Sequence, residues 1–295
     1  MRILHLFNWK LQDITKEVKG IHEQGFDAVQ IGPVQPTKEC GYWWALYQPL
    51  GFEIGNKLGT KEDLEELTNE AHKYKVKVIV DVVCNHTANK GEGIDSLTPS
   101  DEVAADLLEN NYYWKEKRNI NNWQNRWEVT NLCMGLPGLR TDNYDLQDKI
   151  IDFLNKLIDC GADGFRFDAA KNIALPSENN CNFWIRVLGE LKKKDLFNYA
   201  EVIFTPKNLI DEYCKYINVL TDSIGSDKSK LVTFVESHDS YLDDTIGYTR
   251  NMTDDMLTNE YRILCKNYPN TLFYARPFNN LWKSKEIKEI NKGVL

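Results

Sequence analysis

Acids, two histidines and an arginine fall at the ends of separate apolar runs in this chain. VKVIVDVVCNH (76–86) carries Asp81, Asn85 and His86 near its end, and GADGFRFDAAK (161–171) carries Arg166, Asp168 and Lys171. Glu201 lies in LFNYAEVI (196–203), and LVTFVESHD (231–239) ends on His238 and Asp239. A carboxylate taken out of water loses hydration and stays ionised only beside a cation. Arg166 precedes Asp168 by two residues, hence on the same face of a strand, and is placed to keep a neighbouring acid ionised. Glu201 stands between Tyr-Ala and Val-Ile, an apolar setting that raises a carboxyl pKa and favours the protonated form. One acid kept charged beside one kept neutral is what breaking a glycosidic bond requires.

The loop CGYWWALYQP (40–49) adds a substrate class. Trp43, Trp44 and Tyr47 offer ring faces on which the apolar faces of sugars stack, and Gln48 offers a polar partner for hydroxyls. Singly, a strand-end Asp is more often a turn or cap residue, a lone His is more often satisfied by a neighbour, and adjacent Trp residues can plug a barrel end. Joint placement at several strand ends outweighs each bland reading.

The elements that must position these residues alternate along the chain. RILHLFNW (2–9) precedes a helical stretch over 11–24 with Leu11, Ile14, Val18 and Ile21 on one face. FDAVQIGPV (26–34) is a second strand, and Thr60 to Asp63 has capping-box spacing for a helix running to about Tyr74. The run 76–86 is β-branched almost throughout, as in a strand buried on both faces of a parallel sheet. Helices are expected over 147–160, 180–194, 206–216 and 253–267, and further strands at 161–171, 196–203, 218–224, 231–239 and 271–278. Eight strands alternating with helices predict an α/β fold, a TIM (β/α)8 barrel whose strand ends share one mouth. A doubly wound sheet would show a glycine-rich phosphate turn after its first strand, and none is present. Residues 1–86 and 147–295 form the expected barrel, and the polar, aromatic-dotted stretch 87–146 an inserted subdomain. GSDKSK leaves too little chain for a sixth helix, and SKEIKEINK is the only material for an eighth. Helices missing or reduced at those points would bare apolar barrel surface, which a partner, an oligomer or a rearranged loop must cover.

The 295 residues carry a net charge of −8, which argues against a nucleic-acid or membrane-surface binder. Seven scattered cysteines have no metal spacing and read as reduced thiols. MRILHLFNW does not read as a secretory signal, so a cytoplasmic protein is expected, although a trimmed form of a secreted one would look the same.

The motifs resemble the α-amylase family of glycoside hydrolases. DVVCNH (81–86), GFRFDAAKN (164–172), AEVI (200–203) and FVESHD (234–239) resemble its four regions in order, and WWALYQP (43–49) its substrate loop. The resemblance implies hydrolysis of α-1,4-glucosidic bonds in starch, glycogen or maltodextrin with retention of configuration. Asp168 would be the nucleophile, Glu201 the acid/base and Asp239 the stabiliser of the transition state. Trp43, Trp44, Tyr47, Gln48, Asp81, His86, Arg166, Lys171 and His238 would bind substrate or hold the acids. The alternative is a carbohydrate-binding protein, derived from a truncated α-amylase, with little or no turnover. The resemblance also implies a structural calcium with Asn85 as a ligand. That site is weakened because Leu136-Pro137-Gly138 stands where Leu-Pro-Asp is expected; Asp142 and Asp145 are the nearby acids that could compensate. Chloride is not expected: Arg166 and Arg276 fall at plausible positions, but Ser237 replaces the usual asparagine. The chain ends too soon after its eighth strand for the family's C-terminal β-sandwich.

Overall fold

Apolar runs that alternate on the pleat close into a ring of eight parallel strands in the computed structural model, which describes residues 1–178, 181–222, 224–245 and 247–294. The strands are β1 (Arg2–Leu6), β2 (Ala28–Ile31), β3 (Lys77–Val82), β4 (Gly164–Phe167), β5 (Tyr199–Glu201), β6 (Asn218–Leu220), β7 (Leu231–Phe234) and β8 (Asn270–Tyr274). Each pairs with the next in sequence, and β8 closes on β1 through Arg2–Thr271 to His5–Tyr274. The expected barrel is therefore the observed one.

Strand pleating sorts the side chains into two cores. Ile3, Ala28, Ile79, Tyr199, Leu220, Val232 and Leu272 fill the barrel interior. Two residues further along their strands, on the same face, come His5, Gln30, Asp81 and Glu201, and Arg166 follows Gly164 in the same way. The interior is thus apolar below and polar above. Gly164 is needed because a Cβ there would meet the Phe197 carbonyl oxygen at 2.1 Å.

The outer core is covered by helices whose apolar stripes recur every three or four residues. α1 (Leu11–Glu23) buries Leu11, Ile14, Val18 and Ile21. α2 (Lys61–Lys73) starts on the capping box: Asp63 N–H donates to Thr60 Oγ1 at 3.2 Å, and Thr60 N–H to Asp63 Oδ2 at 2.8 Å. α3 (Tyr144–Asp159) begins three residues earlier than its apolar pattern alone indicates, because Asn143 caps it through the Leu146 amide. α4 (Phe183–Glu190), α5 (Lys207–Tyr213), α6 (Asp254–Asn267) and α7 (Lys285–Asn291) follow.

Between β6 and β7 the described residues form only the turn Lys228–Lys230. The apolar surface expected to need a cover there is covered from within the chain. Val219 and Leu231 are fully buried, packed with Ile210 of α5 in the outer core, so these positions require no partner. No described helix is long and apolar enough to cross a membrane. Cys84, Cys133, Cys160 and Cys181 are buried, where they serve as small apolar side chains.

From His86 to Asn143 the chain leaves the barrel and returns beside its own exit. His86 bridges antiparallel to Gly138, Leu139 N–H donates to the Asn85 carbonyl at 2.7 Å, and Thr87 N–H donates to that of Pro137 at 3.1 Å. The excursion holds a two-stranded sheet (Glu116–Asn119 with Leu132–Cys133) and the short helix Arg126–Asn131.

Candidate active site

The carboxyl ends of β3, β4 and β5 bring three acids onto one guanidinium. Arg166 Nη1 donates to both oxygens of Asp81, each at 2.9 Å, and to Asp168 Oδ1 at 2.8 Å, while Nη2 donates to Glu201 Oε1. Asp81 and Arg166 pair across β3 and β4, so the register itself sets this contact. The second oxygen of Glu201 accepts the Ala169 amide at 2.9 Å, a bond made possible by Ala169's left-handed turn (φ 46°) just after Asp168. Asp81 also accepts the Tyr47 hydroxyl at 2.8 Å. Asp239 faces the cleft from another side. It does not end a strand, as the sequence suggests. β7 stops at Phe234, and His238 and Asp239 open the short helix His238–Leu242. Ser237 begins that helix by exchanging hydrogen bonds with Ser240, and this capping overrides the extended pattern of FVESHD.

These groups border a cleft of about 440 Å³ lined by Trp43, Trp44, Tyr47, Gln48, His86, Asp168, Lys171, Glu201, His238 and Asp239. Every sequence-derived site residue except Asp81, Asn85 and Arg166 is on its wall. Asp81 and Arg166 lie beneath the acids, 0% and 1% exposed; Arg166 holds Asp168, as the sequence reading expects, and Asp81 is placed as a floor support. Met134, Leu136, Ile203 and Phe204 also line it. Sequence patterning missed Met134, Leu136 and Phe204 because each belongs to a loop without periodicity, and Ile203 because it reads as strand whereas β5 stops at Glu201. Phe204 sits at φ 51° and is 62% exposed, a costly arrangement for an aromatic residue with no apolar burial to offset it. A larger hollow of about 560 Å³ behind the aromatic loop, between Pro36 and Lys57, contains none of these acids.

Aromatic packing fixes the rings at the floor. His238 stacks on Phe7 at 4.4 Å between centroids and on Tyr47 at 5.0 Å. Trp43 meets Phe7 and His238 edge-on, whereas Trp44 stacks on exposed Tyr42 at 5.1 Å. His86 Nε2 lies 2.9 Å from the Tyr47 carbonyl, which makes it the protonated nitrogen. The Lys171 ammonium lies 5.0 Å from the Trp123 ring and 6.0 Å from that of Phe204.

Burial dominates the electrostatics. It raises Asp81 to about 7 and Asp239 to about 8, with Arg166 offsetting part of each shift. Asp168 and Glu201 are raised for the same reason, and Arg166 again opposes. The expectation that Arg166 separates a charged Asp168 from a neutral Glu201 is corrected: one guanidinium contacts both. Four acids around a single cation cannot all ionise together, and the cluster shares protons near neutral pH. Burial lowers His86 to about 4 and drives His238 well below the ordinary histidine value, so both rings are neutral.

A closed parallel barrel with an acid cluster and aromatic walls at the strand carboxyl ends is a catalytic barrel of the glycoside hydrolase class. The family described as “Alpha amylase, catalytic domain” matches residues 9–263, and the chain belongs to the α-amylase family. An α-amylase of Clostridium acetobutylicum is 34% identical over 98% of this chain and 43% of its own length. The chain spans about two fifths of the first curated relatives it matches, 43% and 38% of two of them. Among solved structures, the acarbose complex of the Geobacillus thermoleovorans α-amylase superposes with a TM-score of 0.78 at 20% identity, over 98% of this chain and 77% of that one. A maltohexaose complex of an Eisenia fetida α-amylase I variant gives 0.71 at 20% identity, over 94% and 67%.

Proposed function

We propose that this chain hydrolyses α-1,4-glucosidic bonds in starch, glycogen or maltodextrins by double displacement with retention. The observation that carries the reading is the Arg166 bridge between Asp168 and Glu201 on the floor of an aromatic-lined cleft. Carboxyl groups held on adjacent nitrogens of one guanidinium stay close together. Closeness favours the separation of about 5–5.5 Å used in retention over the roughly 6.5–9.5 Å gap that admits a water in inversion. Acarbose and maltohexaose bound by the two solved relatives support an α-glucan substrate.

In this mechanism an oxygen of Asp168 attacks the anomeric carbon as the glycosidic C–O bond breaks. Protonated Glu201 delivers its proton to the leaving oxygen. Glu201, now ionised, takes a proton from water, whose oxygen attacks the same carbon and releases Asp168. A raised pKa, caused by burial, suits Glu201 to this exchange, since it must hold a proton before the first step and regain it in the second. Asp239 supports the sugar in the transition state and neutral His238 donates to its hydroxyls, while His86, whose Nε2–H is held by the Tyr47 carbonyl, borders the same sugar. Trp43, Trp44 and Tyr47 supply stacking faces, Gln48 a polar edge, and Lys171 a contact on the leaving-group side.

Proton NMR of freshly cleaved maltoheptaose tests the reading. The first product anomer is expected to be α, and an initial β anomer would overturn retention. Asp168→Asn should lower kcat by about 10³-fold or more while the protein remains folded. Equal turnover by Asp168→Asn and the parent chain would remove Asp168 from the mechanism.

A further inference from the structure

The structural calcium implied by the sequence resemblance does not fit the residues present. Asn85 Oδ1 accepts from the Lys115 ammonium at 2.8 Å, and the Asn172 carbonyl accepts from it at 3.1 Å. Both oxygens that point into the cradle are therefore already turned onto a cation belonging to the chain. Lys115 is 6% exposed, so these bonds are sheltered from water. No group of three or more acidic, histidine or cysteine side chains among the described residues could hold a metal. Asp142 and Asp145 do not compensate: Asp142 is bound to Arg140 at 3.0 Å, and Asp145 is exposed on the first turn of α3. Calcium takes six to eight oxygens, usually with carboxylates among them, and the cradle offers two neutral ones.

The glycine at 138 belongs to the same arrangement. A Cβ at Gly138 would lie 2.7 Å from Lys115 Cδ and 3.3 Å from Cβ and Cγ. An aspartate there would occupy the path of the lysine side chain. Lys115 N–H also donates to the Gly138 carbonyl at 2.8 Å, which fastens the two positions together along the backbone. The lost acid and the buried amine are two halves of one replacement.

We propose that the Lys115 ammonium is a built-in substitute for a structural cation, clamping the excursion 87–143 to the barrel without metal. It joins three segments: the excursion that carries Lys115, the end of the β3 run at Asn85 and the turn after β4 at Asn172. The clamp reaches the cleft in one further step, because Asn85 Nδ2 lies 3.5 Å from His86 Nδ1. A monovalent ammonium suits a cradle of neutral oxygens: two of its three N–H groups donate to Asn85 and Asn172, and burial lowers its pKa only to about 8, so it stays charged at neutral pH.

Thermal unfolding of the whole chain tests this, with no dependence on turnover. The Tm in EDTA and in millimolar CaCl2 is expected to agree within about 1 °C. A calcium-dependent rise of several degrees, or one calcium per chain retained after dialysis against chelator, overturns the proposal. Lys115→Met keeps most of the side-chain length and removes the charge. It should lower Tm by about 4 °C or more, with no recovery on adding calcium. A Met variant as stable as the parent, or one restored by calcium, also overturns it. Should that variant fail to fold, the calcium comparison on the parent chain decides alone.

Discussion

Two buried cations anchor this molecule, and their surroundings differ in kind. Arg166 sits among acids: Asp81, Asp168 and Glu201 bind it directly, and Asp239 feels its charge. Lys115 sits among neutral oxygens, those of Asn85 and Asn172. Around Arg166 burial, with like charges adding to it at Asp81, Glu201 and Asp239, pushes the acids towards protonation. Around Lys115 no acid is in contact, and nothing in its shell needs to titrate. The first arrangement is reactive and the second is structural. A buried charge therefore says little about function until the charges of its partners are counted.

Replacing the arginine should give the largest effect. In Arg166→Lys a single ammonium cannot span Asp81, Asp168 and Glu201 at once, because the planar fork is lost. Turnover should fall by about 10²-fold or more, and urea unfolding should show a loss of roughly 3 kcal/mol at neutral pH, the usual cost of an uncompensated buried charge. The stability loss should shrink below about pH 4, where the acids are neutral whatever stands at 166. A lysine variant of full activity and stability would mean that proximity among the acids is set by the strands alone.

The two cations were not equally legible in the sequence. Arg166 and Asp168 are two residues apart on a strand, and the period of the pleat places them on one face. Glu201 is fixed by its apolar strand in the same way. The barrel was legible for a related reason: α1, α2 and the β3 run carry strong periodicity or caps. Lys115 lies in a polar stretch with no periodicity, and its oxygen partners are 30 and 57 residues away. Only tertiary folding joins them. The one visible trace was negative, a glycine at 138 where an acid was expected. The sharing of Arg166 by three carboxylates was hidden too, because spacing along one strand does not reveal neighbours on the adjacent two. His238 and Asp239 were assigned to a strand because FVESHD reads as extended, whereas Ser237 and Ser240 form reciprocal capping bonds.

The second cation can be disturbed without touching its charge. In Gly138→Ala the added methyl group meets Lys115 Cδ at 2.7 Å, so the stem must move and the ammonium with it. Overpacking of this kind costs about 1–3 kcal/mol, measurable by chemical unfolding. The pH profile of kcat should keep its shape, since the acids around Arg166 keep their partners. A shifted profile with unchanged stability would reverse the roles given to the two cations.

The smallest effect isolates the excess negative charge. Asp239 in the folded chain holds its proton to about pH 8, against about 4 for an unfolded aspartate. Between those values the folded state binds more protons than the unfolded one, so this group's contribution to stability declines as pH rises through the window. Asp81, raised to about 7, acts in the same direction. His86 acts oppositely: held neutral to about pH 4, it lowers stability as pH falls below about 6.5. Asp239→Asn removes one acid and leaves the histidines unchanged. Its stability should exceed that of the parent by about 1 kcal/mol or more at pH 8, and the advantage should vanish near pH 4. A Tm difference that stays constant across that range would show that Asp239 ionises freely, and that the acids about Arg166 are better balanced than their burial implies.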